Sequence, residues 1–424
     1  MKKSAFFLIL FIFVFLPVLR AEEVSLTLDE AVSIALRDNP NVLIGTEEVK
    51  KAKAKLAEAH SGLFPTVTIS GGWSESRGFY PKDMSEISAQ ANLRYYLYQG
   101  GRVINAIKFS EYGIFVSEAL LDKVKLDTVF AVQKAFYTLL LSSELSRLNE
   151  EILSNTGEHL RYLEARYASG QASESSILNI KSSLSSVEEA YVSSLNQTEA
   201  SESVLKNLLH LDEKIKIKPA AEFAYAAKEL AYDEALLSAM KNRPEIRELE
   251  ARENQAKKGI EITKADGRPS IFASWDYYTS SKQTADYSPN PTRGWEDYNI
   301  FGITLSWPIF DGWATKARVE QAVIDLKEAQ LLKDKTTRDV ALDLKTAYLG
   351  LKNSIAGIKT AETDLIQYSD QLSVIKERTA KGITSYLDLD DATLQRKTAF
   401  FNKNQAIYDY IIAKSNFERA TGGS

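Results

Sequence analysis

Three carboxylates lie close together late in the chain, at Asp388, Asp390 and Asp391, shortly after Gly382. If this segment is helical, Asp388 and Asp391 share one face, whereas Asp390 points roughly 200° away from Asp388. Crowded carboxylates attract cations and repel anions. The same residues also suit a helix start, because acids in the first turn offset the helix dipole and Ser385 with Asp388 has the spacing of a capping box. The residues alone leave both interpretations open.

No other group of residues suggests chemistry. The three histidines, His60, His159 and His210, are far apart and have no carboxylate or cysteine pattern typical of a metal site, so surface or packing roles are expected. The chain has no cysteine, which excludes disulfides, thiolate chemistry and an acylated N-terminal cysteine. The sequence also has no Gly-x-x-x-x-Gly-Lys phosphate loop and no Gly-x-Ser-x-Gly elbow. We therefore predict no enzyme, no cofactor and no metal site.

Residues 1–21 have the composition of a secretory signal. Two lysines precede an apolar run that ends at Leu16, and processing is expected after Ala21. The run is shorter than the roughly 20 apolar residues that a helix needs to cross a bilayer, which favours cleavage over an uncut anchor. The formal net charge is −5, and removing three basic residues and no acidic residue with this segment gives −8. A mildly acidic chain without a block of Lys and Arg is a poor nucleic-acid binder.

The sequence repeats itself. Pro40 returns as Pro244 with a shift of 204, and Gly170 returns as Gly382 with a shift of 212. Self-similarity on this scale predicts two copies of one structural unit. The predicted organisation is a first copy at 22–211, a connector or equatorial region at 212–231 and a second copy at 232–424.

Each copy contains a long tract that is suited to helix. The tracts from about 102 to 211 and from 313 to 421 lack proline and are rich in Ala, Leu, Lys, Glu and Gln. Each tract is broken once, at Gly170 or Gly382, and a serine three residues later can cap the next helix. Apolar residues step by three and four, which predicts antiparallel helical hairpins that pack as coiled coils.

Four strands are predicted between the shorter and the longer helices, at 66–78, 87–98, 270–281 and 298–308. Apolar and polar residues alternate in them, as in the run from Ile87 to Leu97, so each strand has an apolar face and a more polar face. All five tryptophans lie in or beside these strands, together with several tyrosines. The aromatic residues either fill a β-sandwich core or form the girdle of a transmembrane barrel, and the secretory signal favours the girdle.

Four amphipathic strands are too few to close around a channel. Known spanning barrels begin at about eight strands, and open edges in lipid would leave backbone groups unpaired. The chain must therefore combine its strands with those of its own copies. Two copies would supply eight strands around a filled interior, and three would supply twelve around a water-filled pore.

The order of these features resembles the TolC family of outer membrane efflux proteins over nearly the whole mature chain. The matching segments are the secretory signal, Leu26 to Val32, Asn39-Pro40, Gly62 to Pro65, Tyr98 to Arg102 and Pro308 to Gly312. The resemblance implies a mainly helical chain with a β-barrel portion, in which duplicated units of two strands and a long helical hairpin form a homotrimer. The trimer would have a twelve-stranded outer membrane barrel, surrounded by lipid and continuous with a twelve-helix periplasmic tunnel.

The resemblance also implies a function and partners. The chain would be the passive exit duct of a tripartite efflux or type I secretion system, working with a periplasmic adaptor and an inner membrane transporter. Its tips near Gly170 and Gly382 would receive the adaptor, which opens the channel. Family members have a carboxylate-lined constriction at the tip, and Asp388 and Asp391 match it. Six such carboxylates in a trimer would attract cations and resist closure until they are screened or protonated.

Two matters stay open after the resemblance. Thr379, Thr384 and Ser176 stand where family members can carry residues that tie the closed mouth, so these ties are missing here. The alternative function is that of a periplasmic coiled-coil adaptor or scaffold protein of an envelope transport assembly, with its strands in a soluble β-domain. The cargo is not readable from the sequence, because selection lies with the transporter.

Overall fold

A computed structural model of the chain describes residues 23–78, 84–225, 231–284 and 295–423. The predicted signal at 1–21, most of both loops within the strand pairs and part of the connector lie outside the described residues. In chain order, the elements are β1 (Glu23–Leu26), α1 (Leu28–Asp38), α2 (Pro40–Ser61), β2 (Thr66–Ser76), β3 (Met84–Gln99), α3 (Arg102–Ala168), α4 (Glu174–Leu209), β4 (Lys216–Pro219), α5 (Tyr232–Asn242), α6 (Pro244–Lys264), β5 (Ser270–Thr284), β6 (Trp295–Ser306), α7 (Ala314–Ala380) and α8 (Tyr386–Ala420).

The mainly helical fold with four paired strands that the sequence predicts is confirmed. Helices α3 and α7 are each 67 residues long, and each ends near a predicted break. The four predicted strands correspond to β2, β3, β5 and β6, with ends that differ by no more than three residues. Strand β4 lies in the connector and pairs in parallel with β1. Strand β1 has no counterpart among the predicted elements, because four residues are too few to show an alternating pattern.

The equivalent helices α2 and α6 of the two copies begin in different ways. In the first copy, Oδ1 of Asn39 accepts a hydrogen bond of 2.9 Å from the backbone N–H of Asn41, which caps α2. In the second copy, Arg243 takes the place of Asn39 and makes no cap. It is buried instead, donates 3.0 Å to Asp343 in α7, and donates 3.1 Å to the carbonyl of Arg419 at the end of α8. The second copy has therefore exchanged a local cap for contacts between helices.

The chain divides into two compact units, each built from three separate segments. Within the described residues, the tip unit comprises 23–35, Val132–Ala224 and Asp364–Tyr408, and the sheet unit comprises Leu36–Ala131, Tyr225–Thr363 and Asp409 to residue 423, apart from the gaps given above.

The core of the tip unit lies around Phe136, whose side chain is fully buried. Apolar residues from β1, α1, α3, α4 and β4 pack there, among them Leu139, Leu205 and Leu209. The neighbouring Lys206 is also buried, and its ammonium lies 2.8 Å from Glu202 and donates 3.0 Å to the carbonyl of Glu213. The charge is therefore paired, as burial requires.

Candidate functional site

The sheet unit contains a four-stranded antiparallel sheet in the order β2-β3-β5-β6. Its strands are 11, 16, 15 and 12 residues long. A tilted strand needs about 9–11 residues to cross a bilayer, so each of them is long enough. Among the described residues, β2 pairs only with β3 and β6 pairs only with β5. Both outer edges therefore carry unpaired backbone groups.

The register divides the sheet into two faces. Directly opposed residues of an antiparallel sheet share a face, and side chains alternate along each strand. Asn92 opposes Thr68 on one side and Asp276 on the other, which places these polar residues together. The polar face includes Thr68, Ser70, Ser88, Gln90, Asn92, Arg94, Ser274, Asp276, Tyr278 and Thr304, together with the apolar Phe272 and Ile300. The opposite face is mainly apolar and includes Val67, Ile69, Ile87, Ala89, Leu93, Ala273, Trp275, Phe301, Ile303 and Leu305, together with the polar Asp297 and Asn299.

The apolar face is uncovered in the single chain. Ile69, Phe301 and Ile303 are each at least 75% exposed. A contiguous apolar surface of this kind marks contact with a membrane or with another protein. Two indole N–H groups on this face are satisfied inside the sheet, because Trp73 donates 3.1 Å to Ser85 and Trp275 donates 3.1 Å to Asn299.

The tyrosines do not all lie with the tryptophans. Tyr278 and Tyr298 oppose each other on the polar face, with ring centroids 5.2 Å apart, and Tyr96 lies on the same face. A bulge in β3 follows Tyr96, so that Tyr98 opposes Ile271 and moves to the apolar face. The bulge is not visible in the sequence pattern, which continues to alternate through this segment.

The polar face is linked by side-chain hydrogen bonds across the strands. The side-chain amides of Asn92 and Gln90 both donate to Oδ1 of Asp276, the second over 3.4 Å. The hydroxyl of Tyr278 donates 2.9 Å to Glu86. Charged and amide groups held in this way suit the wall of a water-filled passage.

The junction between the sheet and α3 depends on contacts with the second copy. Arg268 donates 2.9 Å to the carbonyl of Gly100, and a Cβ added to Gly100 would lie only 2.7 Å from the Cβ of Arg268. Arg102 and Arg318 both pair with Asp266. In the Gln-Gly-Gly-Arg segment, Gly100 is therefore required by the close approach of Arg268, and Arg102 is required by its pairing with Asp266.

The two predicted tip residues end their helices in the same way. Gly170 and Gly382 have left-handed φ angles of 72° and 71°. The N–H of Gly170 donates to the carbonyl of Tyr167, and the N–H of the next residue, Gln171, donates to the carbonyl of Arg166. In the second tip, Gly382 and Ile383 make the same two bonds to Thr379 and Arg378. This is the Schellman pattern, which satisfies carbonyls at a helix end. An added Cβ would meet nothing within 4 Å at either glycine, so the backbone angle alone requires it.

The acidic cluster forms the start of α8. Oδ2 of Asp388 accepts hydrogen bonds of 2.9 Å and 2.8 Å from the N–H and hydroxyl of Ser385, whose Oγ accepts 3.2 Å from the N–H of Asp388. These bonds lower the pKa of the Asp388 carboxyl. The capping box is therefore formed, and the side chains of Asp388 and Asp391 are both exposed. Capping uses one carboxylate oxygen and leaves the charge at the surface.

The third carboxylate has a partner that the sequence did not reveal. Asp390 points into the unit, where its Oδ2 lies 2.7 Å from Nε2 of His159, and the two side chains are only 15% and 17% exposed. The atoms are within ion-pair distance, although they are not aligned as a hydrogen bond requires. The sequence predicts only an ordinary surface or packing role for His159, because no metal-site pattern surrounds it. Its partner lies in the other copy, and no sequence spacing reports that contact.

The contact belongs to a series of polar contacts between α3 and α8. Moving away from the tips, Glu151 lies 2.7 Å from Lys397, Glu144 accepts 2.6 Å from Asn404, and the hydroxyls of Thr138 and Tyr408 are 2.9 Å apart. We refer to these four contacts as the α3–α8 ladder. They join the first hairpin to the second hairpin within one chain.

The side chains of Thr379, Thr384 and Ser176 make contacts within their own tips. The hydroxyls of Thr379 and Thr384 are 2.9 Å apart, within the second tip. The hydroxyl of Ser176 lies 2.8 Å from that of Ser173, within the first tip.

No group of three or more His, Cys, Asp or Glu residues in the part of the chain that the structure describes is arranged to hold a metal ion. None of the helices in the described ranges combines the length and the apolar character needed to cross a membrane.

The chain matches known proteins along most of its length. The family model described as outer membrane efflux protein matches residues 31–209 and 235–423. The alkaline protease secretion protein AprF of Pseudomonas aeruginosa is 22% identical, over 94% of this chain and 85% of AprF. Protein CyaE of Bordetella pertussis is 22% identical, over 77% of this chain and 69% of CyaE.

Solved structures show the same fold. The CmeC outer membrane channel of Campylobacter jejuni superposes with a TM-score of 0.78 at 19% identity, covering 93% of this chain and 85% of CmeC. The MtrE outer membrane channel of Neisseria gonorrhoeae, solved in an open state, gives 0.73 at 19% identity, covering 93% of this chain and 89% of MtrE. The family match extends over both copies and all the long helices. The chain belongs to the outer membrane efflux protein family, and its fold is that of the TolC-like outer membrane channels.

Proposed function

We propose that the chain forms, as a homotrimer, the passive exit duct of a tripartite efflux or type I secretion system. One observation carries this proposal. The four-stranded sheet has an apolar face, a polar face and two unpaired edges, and it occurs in a member of the outer membrane efflux protein family.

The physical argument concerns the two edges. Each unpaired backbone group in hydrocarbon costs several kcal/mol, so neither β2 nor β6 is stable at an open edge in lipid. Pairing β6 of one copy with β2 of the next satisfies both edges, and three copies of four strands give twelve. Closure in this sense places the apolar face toward lipid and the Asp276 network toward a lumen wide enough for water.

The tips are proposed as the docking and gating end. Gly170 and Gly382 present two turns of similar geometry to a periplasmic adaptor, and an inner membrane transporter would supply energy and select the cargo. The relative AprF is named for protease secretion, and another relative is named toxin and drug export protein A. These names give proteins, toxins and drugs as the cargo classes to test for a duct of this kind.

Asp388 and Asp391 are proposed to line the periplasmic mouth. Both are exposed on the first turns of α8, so three copies would bring six carboxylates to one aperture. Changing both residues to Ala should reduce the preference of single channels for cations over anions in planar bilayers. Unchanged selectivity would leave Asp388 with its capping role alone. Asp364→Ala, which removes a carboxylate from α7 far from this turn, is the matched control.

The closure of the sheet can be tested with introduced cysteines, because the chain has none of its own. Pairs of cysteines, one on β2 and one on β6, should form disulfides between copies and give a covalent trimer on a denaturing gel. Pairs placed on β2 and the central strand β5 serve as controls and should give none. A chain that is extracted without detergent and stays monomeric would instead favour the periplasmic adaptor or scaffold alternative.

A further inference from the structure

The chain keeps a bulky residue in a backbone conformation that normally requires glycine. Trp313, just before α7, has a left-handed φ of 69°. With the shift of 212, its equivalent in the first copy is Gly101, whose φ is 86°. The second copy has therefore placed a tryptophan where the turn favours glycine, at a cost in backbone free energy.

Burial within the chain does not explain this choice, because the side chain of Trp313 stays largely exposed. Within the described residues, the other non-glycine residue with a positive φ is His210, which ends α4 as its C-cap. Trp313 directly precedes α7, and its carbonyl accepts 3.0 Å from the N–H of Ala317, but its side chain is 68% exposed and takes no part in that bond. A strained conformation that persists without burial points to a contact outside the single chain.

The surroundings of Trp313 show what that contact requires. Phe310 packs edge-on against its ring with centroids 5.9 Å apart, and Phe310 is 73% exposed. The neighbouring Ile309 is 87% exposed. The ammonium of Lys316 lies 5.6 Å from the centre of the Trp313 ring. Two exposed aromatic rings and an aliphatic side chain thus lie next to a positive charge.

Lys316 differs from the other charged residues of this segment. Asp311 accepts 2.8 Å from the N–H of Thr315 and lies 3.9 Å from Arg318, which also pairs with Asp266. The ammonium of Lys316 has no carboxylate within ion-pair distance among the described residues. It is therefore available to an anionic group from outside the chain.

We propose that Phe310, Trp313 and Lys316 bind the headgroup region of a phospholipid in the periplasmic leaflet. The rings would lie at the level of the glycerol and ester groups, and the ammonium would meet the phosphate. This inference rests on the proposed function, because it requires the strands to cross the outer membrane and α7 to leave it on the periplasmic side.

Continuity with the apolar face favours lipid over a second copy of the chain. Leu305, at the end of β6, is 65% exposed, and the exposed Trp307 and Ile309 continue that surface to Phe310. The segment thus begins at the end of the surface that would face hydrocarbon. A phospholipid supplies the apolar and the anionic component together.

The test uses tryptophan fluorescence in vesicles of phosphatidylglycerol with bromine on the acyl chain. Bromine quenches nearby indoles, so labels near the glycerol end and near the methyl end report depth. The difference in fluorescence between the wild type and Trp313→Phe reports Trp313 alone. This difference should be quenched at least twofold more by the shallow label than by the deep label. Trp275→Phe is the control, because Trp275 lies mid-strand and its part of the signal should favour the deep label.

The results separate the lipid site from the exit duct. If the wild-type chain forms pores but the Trp313 signal is not quenched, the lipid site is wrong and the duct is unaffected. If the wild-type chain neither inserts nor forms pores, the proposed function fails and the lipid site fails with it.

Two further variants distinguish lipid from a neighbouring copy. Trp313→Gly removes the backbone strain, so its trimers in lipid-free detergent should dissociate at the same temperature as the wild type or a higher one. Because the variant also loses the lipid contact, the rise in dissociation temperature on adding phosphatidylglycerol should fall at least twofold. Lys316→Gln should also reduce the rise in dissociation temperature that phosphatidylglycerol gives. Equal loss of trimer stability with and without lipid would show that Trp313 packs against another copy and would overturn the proposal.

Discussion

Removing the contact between His159 and Asp390 should make the proposed channel open more readily. The contact joins α3 of the first hairpin to α8 of the second, close to the tips at Gly170 and Gly382. Widening of the mouth requires the hairpins to move, and a contact between them near the tips resists that movement. His159→Ala removes the contact without altering either turn.

The burial of the pair sets the size of the effect. Losing an exposed polar contact costs little, whereas leaving a buried polar group without its partner costs about 1–3 kcal/mol. With side chains 17% and 15% exposed, this pair lies between those limits. We expect about 1–2 kcal/mol for each chain, which corresponds to roughly a 5–30-fold shift toward the open state.

Single-channel recording in planar bilayers measures this shift as open probability without an adaptor. A double-mutant cycle with Asp390→Ala isolates the pairwise contribution from other effects of each substitution. Lys397→Gln is the matched control, because it breaks the next contact of the α3–α8 ladder, where the side chains of Lys397 and Glu151 are 35% and 42% exposed. That more exposed pair should change the open probability by about twofold or less. The reasoning is refuted if His159→Ala leaves gating unchanged, or if Lys397→Gln has an equal effect.

Three more predictions concern stability. Phe136→Ala should lower the free energy of unfolding by about 3–5 kcal/mol in denaturant titrations, whereas Phe400→Ala, at a side chain that is 43% exposed, should cost far less. Gly382→Ala should destabilise the tip by about 1–2 kcal/mol because φ is positive there. Its control is Gly357→Ala, inside α7 with open space around it, which should stabilise that helix by about 0.5–1 kcal/mol. Thermal unfolding of the two variants measures the difference. The lowered pKa of Asp388 means that its capping contribution is present at neutral pH and is lost as the pH falls through that lowered value. Hydrogen-exchange protection factors at the start of α8, which compare each measured rate with the intrinsic rate at the same pH, should therefore fall in acid for the wild type and change less for Asp388→Asn.

The sequence predicted best the features that depend on local periodicity. The long helices follow from tracts without proline, and their ends follow from Gly170 and Gly382, since a left-handed turn favours glycine. The alternation from Ile87 onward predicted the two faces of β3. The capping of α8 by Ser385 and Asp388 was likewise visible as a spacing of three residues.

Other features depend on residues that are distant in the chain. The contact between His159 and Asp390 joins different helical hairpins, and the hydrogen bonds of Asp276 depend on the register of β3 against β5. The buried position of Arg243 was equally hidden, because its partners Asp343 and Arg419 belong to other helices. A single sequence carries no spacing from which such contacts can be read.

The sequence by itself determined the duplicated plan, the breaks in the helices and the amphipathic character of the strands, because each of these arises from residues that are neighbours along the chain. Only the tertiary structure decided which strands lie at the edges, which tyrosines change face at the bulge after Tyr96, and which carboxylate of the acidic cluster turns inward to His159. These features depend on strand register and helix packing, which are fixed when distant segments bury their surfaces against one another.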